Sequence, residues 1–476
     1  MAKPNILLIT TDQHNPEILG CAGNPIVRTP NIDRLAGEGV VFESAWTPHP
    51  VCTPARTTIF TGQYADRHGV SYNLNIRNDR PAPASHTGLR GEARAFPEVL
   101  AGAGYHTSFF GKLHTKQAGS KNFGLQLARL AEGKGQFTDY GAPPDDYRQY
   151  LKSKGYSDRD WKTWEIPEYA RDGCVTSLLP EEDYIDAWAA TEAVNHLQRV
   201  AEPFFSWVSF SSPHTPWDPP RPYDGMYSPS EVLLPARRKG ELEEKHPQYV
   251  DQLARTVPAV PSHSADASLE GGLERAYNRF SDDQTRRMLA AYYGEVTHID
   301  TQVGRILATL DERGFRENTL IVFTADHGDY LGNNWGFYKP CGLFYDSLGR
   351  IPLIVNWPGR TEHAARRDDL VSLADLAPTF LEAAGVEPSD PVDGRSLRPL
   401  LENPGVDWRN SLWLGGNNVR CVVTSEWKHM RWRDGFEELY NRKDDPHDLH
   451  NLAGQKQCQT VKDKLTGLAV RQGPNR

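Results

Sequence analysis

The 476-residue sequence predicts an α/β fold, with a large mixed or parallel sheet sandwiched by helices and a small antiparallel sheet near the C-terminal end. Three observations carry this expectation. Short, nearly continuous apolar runs alternate with amphipathic helical stretches up to about residue 385, as buried strands joined by helices do. Carboxylates, imidazoles and lysines follow several of those runs directly, at the strand ends where open α/β sheets bind ligands. From about residue 405 the composition shifts to Trp, Arg and short alternating runs, the pattern of antiparallel strands. The expected division is 1–400 for the α/β domain and 401–476 for a small α+β subdomain.

Composition narrows the classes of function. Charged residues make up 24% and hydrophobic residues 38%, as in a globular protein. A net charge of −9 argues against a general nucleic-acid binder and leaves room for a local basic pocket. No apolar run approaches the roughly 20 residues of a membrane span, so no membrane partner is expected. Met1-Ala2-Lys3-Pro4 leads straight into an apolar strand with no signal-peptide core, which makes a cytoplasmic location the expectation. The six cysteines (21, 52, 174, 341, 421 and 458) lack C-x-x-C spacing, favouring reduced thiols over disulfides or a zinc site.

The first buried strand, Asn5–Thr11, delivers Asp12-Gln13 to its C-terminal end. On the residues alone, Asp12 is either a hydrogen-bonded loop anchor or a ligand for a hard cation. Thr29–Leu35 reads as a capped helix and Val40–Phe42 as a strand. In Val51–Gly69, Thr53 is expected as N-cap, Pro54 at the first helical position and Gly62 as the stop. Arg56 lies one turn on from Cys52, and a helix N-terminus beside an Arg suits an anion. By spacing alone, Cys52 reads equally well as a buried structural thiol.

A polar loop follows to about Arg94, then a helix over Phe96–Gly102 and a strand over Tyr105–Phe110. That strand ends in Gly111-Lys112-Leu113-His114, and in extended chain Lys112 and His114 point the same way. Residues from about 115 to 180 have weak periodicity and read either as a pocket-shaping insertion or as a structural lid. Glu181–Val200 reads as a helix, and Pro203–Phe210 as a strand feeding Pro213-His214-Thr215-Pro216. Arg221–Asp283 reads as a loop-heavy, partly mobile stretch.

Ser281-x-x-Gln284 forms a capping-box signature that opens a long amphipathic helix to about Arg313, stopped by Gly314. Thr319–Ala325 is a second buried strand, ending in Asp326-His327-Gly328, with Lys339 following 13 residues after Asp326. Ile351–Asn356 is another strand, Ser372–Ala384 a helix, and Arg420–Ser425 with Lys428–Trp432 antiparallel strands.

Several of these pieces occur together in a known order. They are T-P-N-x-D-x-L from Thr29, C-x-P-x-R from Cys52 followed by T-G, G-K-x-H from Gly111, and P-H-T-P from Pro213. T-x-D-H-G from Thr324, Asp393–Leu397, and Glu438-Leu439-Tyr440 with Asp445–Leu452 complete the series. Over nearly the whole chain the sequence resembles the sulfatase family. The resemblance implies a large α/β domain of alkaline-phosphatase type with a small C-terminal antiparallel sheet. It implies hydrolysis of sulfate monoesters, and the expected cytoplasmic location favours a small sulfate ester as substrate.

The resemblance also implies that Cys52 is converted to formylglycine by a formylglycine-generating or sulfatase-maturing enzyme. One hydroxyl of the aldehyde hydrate attacks sulfur, and the second collapses to the aldehyde and expels sulfate. An ordinary Ser or Cys has no second hydroxyl for that step. Asp12, Gln13, Cys52, Asp326 and His327 are the implied metal ligands, with Ca²⁺ first and Mg²⁺ or Mn²⁺ as alternatives. Arg56 is implied to hold the hydrate, and Lys112 and Lys339 the sulfate oxygens. His214 is expected as acid to the leaving group and His114 as the group assisting loss of the diol proton, with the two roles exchangeable. A homo-oligomer is common among soluble relatives.

One departure bears on the chemistry. Many sulfatases carry two adjacent Asp residues after the first strand, whereas this chain has Asp12-Gln13. The amide lowers the site's negative charge by one, which weakens Ca²⁺ binding and broadens metal choice. An Asp-Gln pair also resembles choline sulfatases and phosphonate monoester hydrolases. Hydrolysis of phosphonate monoesters or phosphodiesters is therefore the second expectation, and a non-catalytic anion- or metal-binding module the third. Trp161, Trp164, Trp188 and Trp217 are candidates for an aromatic pocket, with Trp188 expected in the core.

Overall fold

The computed structural model describes residues 3–71, 73, 94–115, 123–134, 145–255, 273–339, 343–403, 405–415 and 418–472. The strands in chain order are β1 Asn5–Thr11, β2 Val40–Phe42, β3 Ala45–Trp46, β4 His106–Gly111, β5 Leu127–Leu130, β6 Phe204–Ser209 and β7 Thr319–Ala325. They continue with β8 Leu353–Asn356, β9 Ala365–Arg367, β10 Val371–Ser372, β11 Ser411–Gly415, β12 Val419–Thr424, β13 Trp427–Trp432 and β14 Glu437–Asn441.

Eight strands form the main sheet in the order β5-β4-β6-β1-β7-β8-β2-β9. The run from β5 to β7 is parallel, β8 is antiparallel to β7 and β2, and β9 is parallel to β2. The central strands are apolar on both faces because both faces are covered. Ile6 and Leu8 of β1 join one core layer, while Leu7 and Ile9 join the other. Helices Pro30–Gly37, Ile185–Leu197 and Asp282–Glu312 pack on the Leu7 side. Helices Cys52–Thr61, Phe96–Gly102 and Leu376–Ala383 pack on the Ile6 side. This is the mixed sheet sandwiched by helices that the sequence predicts.

Strand register then fixes the site. Gly111 of β4 is level with Ser209 of β6, Ser209 with Thr10 of β1, and Thr11 with Ala325 of β7. The residues just past these four strands therefore emerge side by side at one edge of the sheet.

The small sheet is the antiparallel meander β11-β12-β13-β14. One face meets Trp46, Tyr345 and Leu348 of the large body through Leu412, Leu414, Cys421, Met430 and Tyr440. The other face is covered by the C-terminal helix Gln459–Gln472 through Trp413, Val422, Leu439 and Leu465. Lys428, fully buried, lies 2.5 Å from both Asp346 and Asp448 and ties this sheet to the body through charge.

Several local expectations hold. Ser281 Oγ accepts from Gln284 N at 3.1 Å and Gln284 Oε1 accepts from Ser281 N at 3.0 Å, so the capping box is complete. Gly314 turns the chain at φ +68°.

Others are corrected. Thr29 precedes its helix without capping it. Asp300 of the long helix instead accepts from Asn31 N and Ile32 N at 3.0 and 2.8 Å, and Thr29 Oγ1 donates to Asp33. Glu181–Val200 divides into a 3₁₀ turn, Glu181–Asp183, and the helix Ile185–Leu197. Ser372–Ala384 likewise divides into a 3₁₀ turn, Leu373–Asp375, and the helix Leu376–Ala383. The stretch expected as loop contains helices Pro247–Arg255 and Leu273–Tyr277. Most of the polar loop before Arg94, and Cys341, lie outside the described residues. Among the described residues, cysteines 21, 52, 174, 421 and 458 are free thiols, and no helix is long and apolar enough to cross a membrane.

Candidate active site

Cys52 opens the helix Cys52–Thr61, whose ten residues are all buried. The cap differs from expectation: Val51 is the N-cap and Thr53 lies inside the helix. The Thr53 hydroxyl instead donates to the backbone carbonyl of His114 at 3.0 Å, a long-range acceptor that outcompetes the local cap. Gly62 ends the helix at φ +67°, its N–H donating to Thr58 O at 2.8 Å.

The Cys52 sulfur sits among the strand-end residues. It is 3.6 Å from Asp12 Oδ1, 3.2 Å from His327 Nε2 and 2.9 Å from Lys339 Nζ. Arg56, one turn on, does not fold back over the sulfur. Its Nε donates to Asp326 Oδ2 at 3.0 Å, its Nη2 to Asp12 Oδ2 at 3.1 Å, and its Nη1 to Lys112 O and Ser209 Oγ at 2.5 and 2.7 Å. The guanidinium fork thus spans β4, β6, β1 and β7 at their ends, holding the two carboxylates in place. Lys112 Nζ also lies 2.6 Å from Asp12 Oδ2.

Gln13 stands at φ +63°, and its backbone N–H donates to Asp326 Oδ1 at 3.0 Å. Its side chain accepts from Lys339 Nζ at 2.8 Å and donates to Asp329 Oδ2 at 2.5 Å. The His327 Nδ1 contact is to a carbonyl, Gly328 O at 2.9 Å, so Nδ1 carries the proton and Nε2 presents its lone pair to the cluster. His214 Nδ1 meets Thr215 O at 2.7 Å, which places its proton in the same way. His114 has left-handed backbone at φ +47°, so it does not continue the extended run from Lys112 as expected. Its N–H donates to Glu132 Oε2 at 2.9 Å.

The electrostatics follow from burying mixed charges. Burial alone would push the Asp12 carboxyl up, but Lys112, His214, Arg56 and Lys339 outweigh it and hold Asp12 well below the usual carboxylate range. Burial, reinforced by Asp12, pushes the Cys52 thiol up to about 11 despite Lys339 and Lys112. Burial lowers His214 and His114 well below the ordinary histidine value, with Lys339 and Lys112 adding to the shift. His327 is lowered by burial, against the opposing pull of Asp326. Burial would also lower Lys339, but Cys52, Asp12 and Asp326 raise it above the ordinary lysine value.

Donor atoms of Asp12, Cys52, Asp326 and His327 all lie within 4.8 Å of one another, so four of the five expected metal ligands form one cluster. The donor set fits a divalent cation: two carboxylate groups, an imidazole lone pair and, one hydrogen bond away through Lys339, the Gln13 amide oxygen. The Lys339 ammonium already touches Gln13, Cys52 and His327, the last at 3.3 Å, so the cluster takes positive charge as it stands.

Ser209, Asp329 and Glu132 were not anticipated. Asp329 had a signal, as a third polar residue after the β7 run, whereas Ser209 and Glu132 become visible only through sheet register. Of the four tryptophans, Trp161, Trp188 and Trp217 are buried in core clusters.

The central parallel strands of the mixed sheet thus converge at their ends on paired carboxylates, imidazoles and cations around Cys52, the edge where open α/β sheets bind ligands. The sulfatase family model matches residues 4–386, and one described as N-sulphoglucosamine sulphohydrolase, C-terminal, matches residues 333–472. An arylsulfatase of Clostridium perfringens is 30% identical over 99% of this chain and 94% of its own length. The multifunctional alkaline phosphatase superfamily protein PehA of Trinickia caryophylli is 29% identical over 95% of this chain and 92% of its own. The crystal structure of a phosphonate monoester hydrolase of Agrobacterium radiobacter superposes with a TM-score of 0.80 at 27% identity, covering 98% of this chain and 96% of that one. The chain belongs to the sulfatase family of the alkaline phosphatase superfamily. It is an enzyme of that class, a hydrolase of sulfate esters.

Proposed function

We propose that the enzyme uses formylglycine made from Cys52, together with a divalent cation, to hydrolyse small sulfate monoesters. The carrying observation is the position of Cys52 Sγ between Asp12, His327 and Lys339. Burial and Asp12 push the Cys52 thiol up to about 11, which makes the unmodified thiol a poor nucleophile near neutral pH and supports the modified side chain that the family uses. Formylglycine supplies a hydrate with one hydroxyl to attack sulfur and another to release sulfate afterwards. Asp12, Asp326, His327 and residue 52, with Gln13, would hold the cation, which would supply Lewis-acid charge that favours ionisation of the nucleophile.

The chain's own residues do the rest. Arg56 keeps both carboxylates oriented, and Lys112 keeps Asp12 ionised. Lys112 and Lys339 face the sulfate oxygens and stabilise the charge that grows on them. Burial depresses His214 first and Lys339 and Lys112 add to it; negative charge brought by a bound ester offsets the two lysines and so favours protonation of His214. With Nδ1 committed to Thr215 O, Nε2 of His214 passes that proton to the leaving oxygen. His114 assists loss of the hydrate proton. The buried walls exclude bulk water and strengthen each of these charges.

Ca²⁺ is the first choice of cation, with Mg²⁺ or Mn²⁺ admitted by the amide and the imidazole. The reading includes a maturing enzyme acting on Cys52, a cytoplasmic location and a homo-oligomeric state. The Asp12-Gln13 pair and the similarity to the Agrobacterium hydrolase favour a second reading, hydrolysis of phosphonate monoesters. Turnover of an aryl sulfate and an aryl phosphonate monoester, with and without chelator, separates the two. The first reading expects chelator-sensitive release of sulfate with the higher kcat/KM. A higher kcat/KM on the phosphonate overturns it.

A further inference from the structure

We propose that Asp329 is a positioning residue that fixes which end of the Gln13 amide faces the cation site. The oxygen and nitrogen of a primary amide are nearly the same size, so packing alone cannot orient the group. Charge can. Asp329 is fully buried behind Gln13, and its Oδ2 accepts from Gln13 Nε2 at 2.5 Å. Because a carboxylate only accepts, this contact forces the nitrogen away from the cluster and the oxygen toward it. Gln13 Oε1 then accepts from Lys339 Nζ at 2.8 Å, the same ammonium that lies 2.9 Å from Cys52 Sγ. With the amide reversed, an NH₂ group would face Lys339 and the cation.

The rest of the geometry leaves Gln13 little freedom to escape this control. Its backbone is held at φ +63° by the N–H bond to Asp326 and by the Tyr292 hydroxyl, which donates to Gln13 O at 2.9 Å. Asp329 is held as firmly: its Oδ1 accepts from Leu331 N at 2.8 Å and Tyr338 N at 3.0 Å. One carboxylate thus orients the Gln13 amide and shapes the loop that carries Lys339. In this chain an amide replaces the second carboxylate of the more common Asp-Asp pair. A carboxylate needs no such orientation, because both of its ends are oxygens. Asp329 matters here because of Gln13.

The inference rests on the metal-dependent reading above, and the test separates them. Asp329→Asn keeps Oδ1 for the two loop N–H groups and changes only the atom facing Gln13. Its NH₂ then draws the Gln13 oxygen backward. Calorimetric titration of the full chain with Ca²⁺, and separately with Mn²⁺, should show affinity about 10- to 100-fold weaker than wild type, the range typical when a partner of a metal ligand is lost. Gln13→Glu combined with Asp329→Asn reverses the polarity of the contact and returns an oxygen to the site, so affinity should equal or exceed wild type. Unchanged affinity in Asp329→Asn overturns the proposal. If Asp329→Asn alone does not fold, the double variant decides: affinity weaker than wild type overturns it. A wild-type chain that binds neither cation overturns the metal reading and this inference together, whereas tight wild-type binding with an insensitive Asp329→Asn overturns the inference alone.

Discussion

Replacing Arg56 with Met tests whether its fork is the structural keystone of the site. The side chains of Arg56, Asp12 and Asp326 are 1%, 0% and 0% exposed, so solvent cannot screen a loss of charge here. Asp12 keeps Lys112 at 2.6 Å, but the Asp326 oxygen that Arg56 bonds at 3.0 Å loses a charged partner. Lys112 O and Ser209 Oγ also lose the Arg56 Nη1 donor, although the Ser209 hydroxyl still donates to Lys112 O at 2.8 Å. Removing one member of a buried pair costs about 3–5 kcal/mol, against about 0–1 kcal/mol for a surface pair. With a urea m-value of ~3 kcal/mol/M, the unfolding midpoint should fall by about 1–1.7 M in chelator. A saturating divalent cation supplies positive charge to the same carboxylates, so it should raise the midpoint of Arg56→Met more than that of wild type. Arg56→Lys, which keeps the charge and loses the fork, should fall between the two. Urea unfolding monitored by tryptophan fluorescence, with chelator and with added Ca²⁺, reads all three. An Arg56→Met midpoint equal to wild type in chelator would refute the argument that this ion pair holds the strand ends together.

Two further outcomes follow from contacts the sequence did not announce. Thr53→Val removes the hydroxyl that donates to His114 O, a buried hydrogen bond worth about 0.5–1.5 kcal/mol. It should lower kcat more than it raises KM while Thr53→Ser restores turnover; equal loss in both variants, at equal Cys52 conversion by peptide mass, contradicts this. Asp300 is raised to about 6, by burial first, against the pull of the Ile32 and Asn31 donors. Between about pH 4 and 6 the folded chain therefore holds a proton that the unfolded chain has lost, and stability should fall by about 3 kcal/mol as pH rises through that window. Asp300→Asn cannot titrate and should flatten this slope in urea midpoints; an unchanged slope removes Asp300 as its source.

What the sequence disclosed and what it hid divide along the range of the interactions. β1 and β7 were legible because a continuous apolar run followed at once by Asp has few other readings. The Ser281 capping box was legible because both partners lie within one turn. The helices at Thr29 and Thr53 both read as capped locally, yet partners far along the chain intervene: Asp300 accepts from Asn31 N and Ile32 N, and His114 O draws the Thr53 hydroxyl. β11 was missed because its first four residues are buried, one face against the large body and the other under the C-terminal helix, which erases the alternation of a half-exposed strand. At the site, residues following strands were readable one by one. Their grouping was not, because it depends on the order β4-β6-β1-β7. Ser209 and Glu132 belong to that second kind of information. Arg56 shows its limit most clearly, since proximity to Cys52 in the helix suggested a partner that the sheet register replaced with Asp12 and Asp326.

The most direct measurement pairs the mass of the peptide containing Cys52 with sulfate release from the same preparation. Samples made with and without a co-produced maturing enzyme provide a range of conversion from thiol to aldehyde. The account predicts that turnover rises in proportion to the converted fraction and is absent in a folded Cys52→Ala variant. Full sulfate release from chains that carry only the unmodified thiol, or from Cys52→Ala, would contradict it.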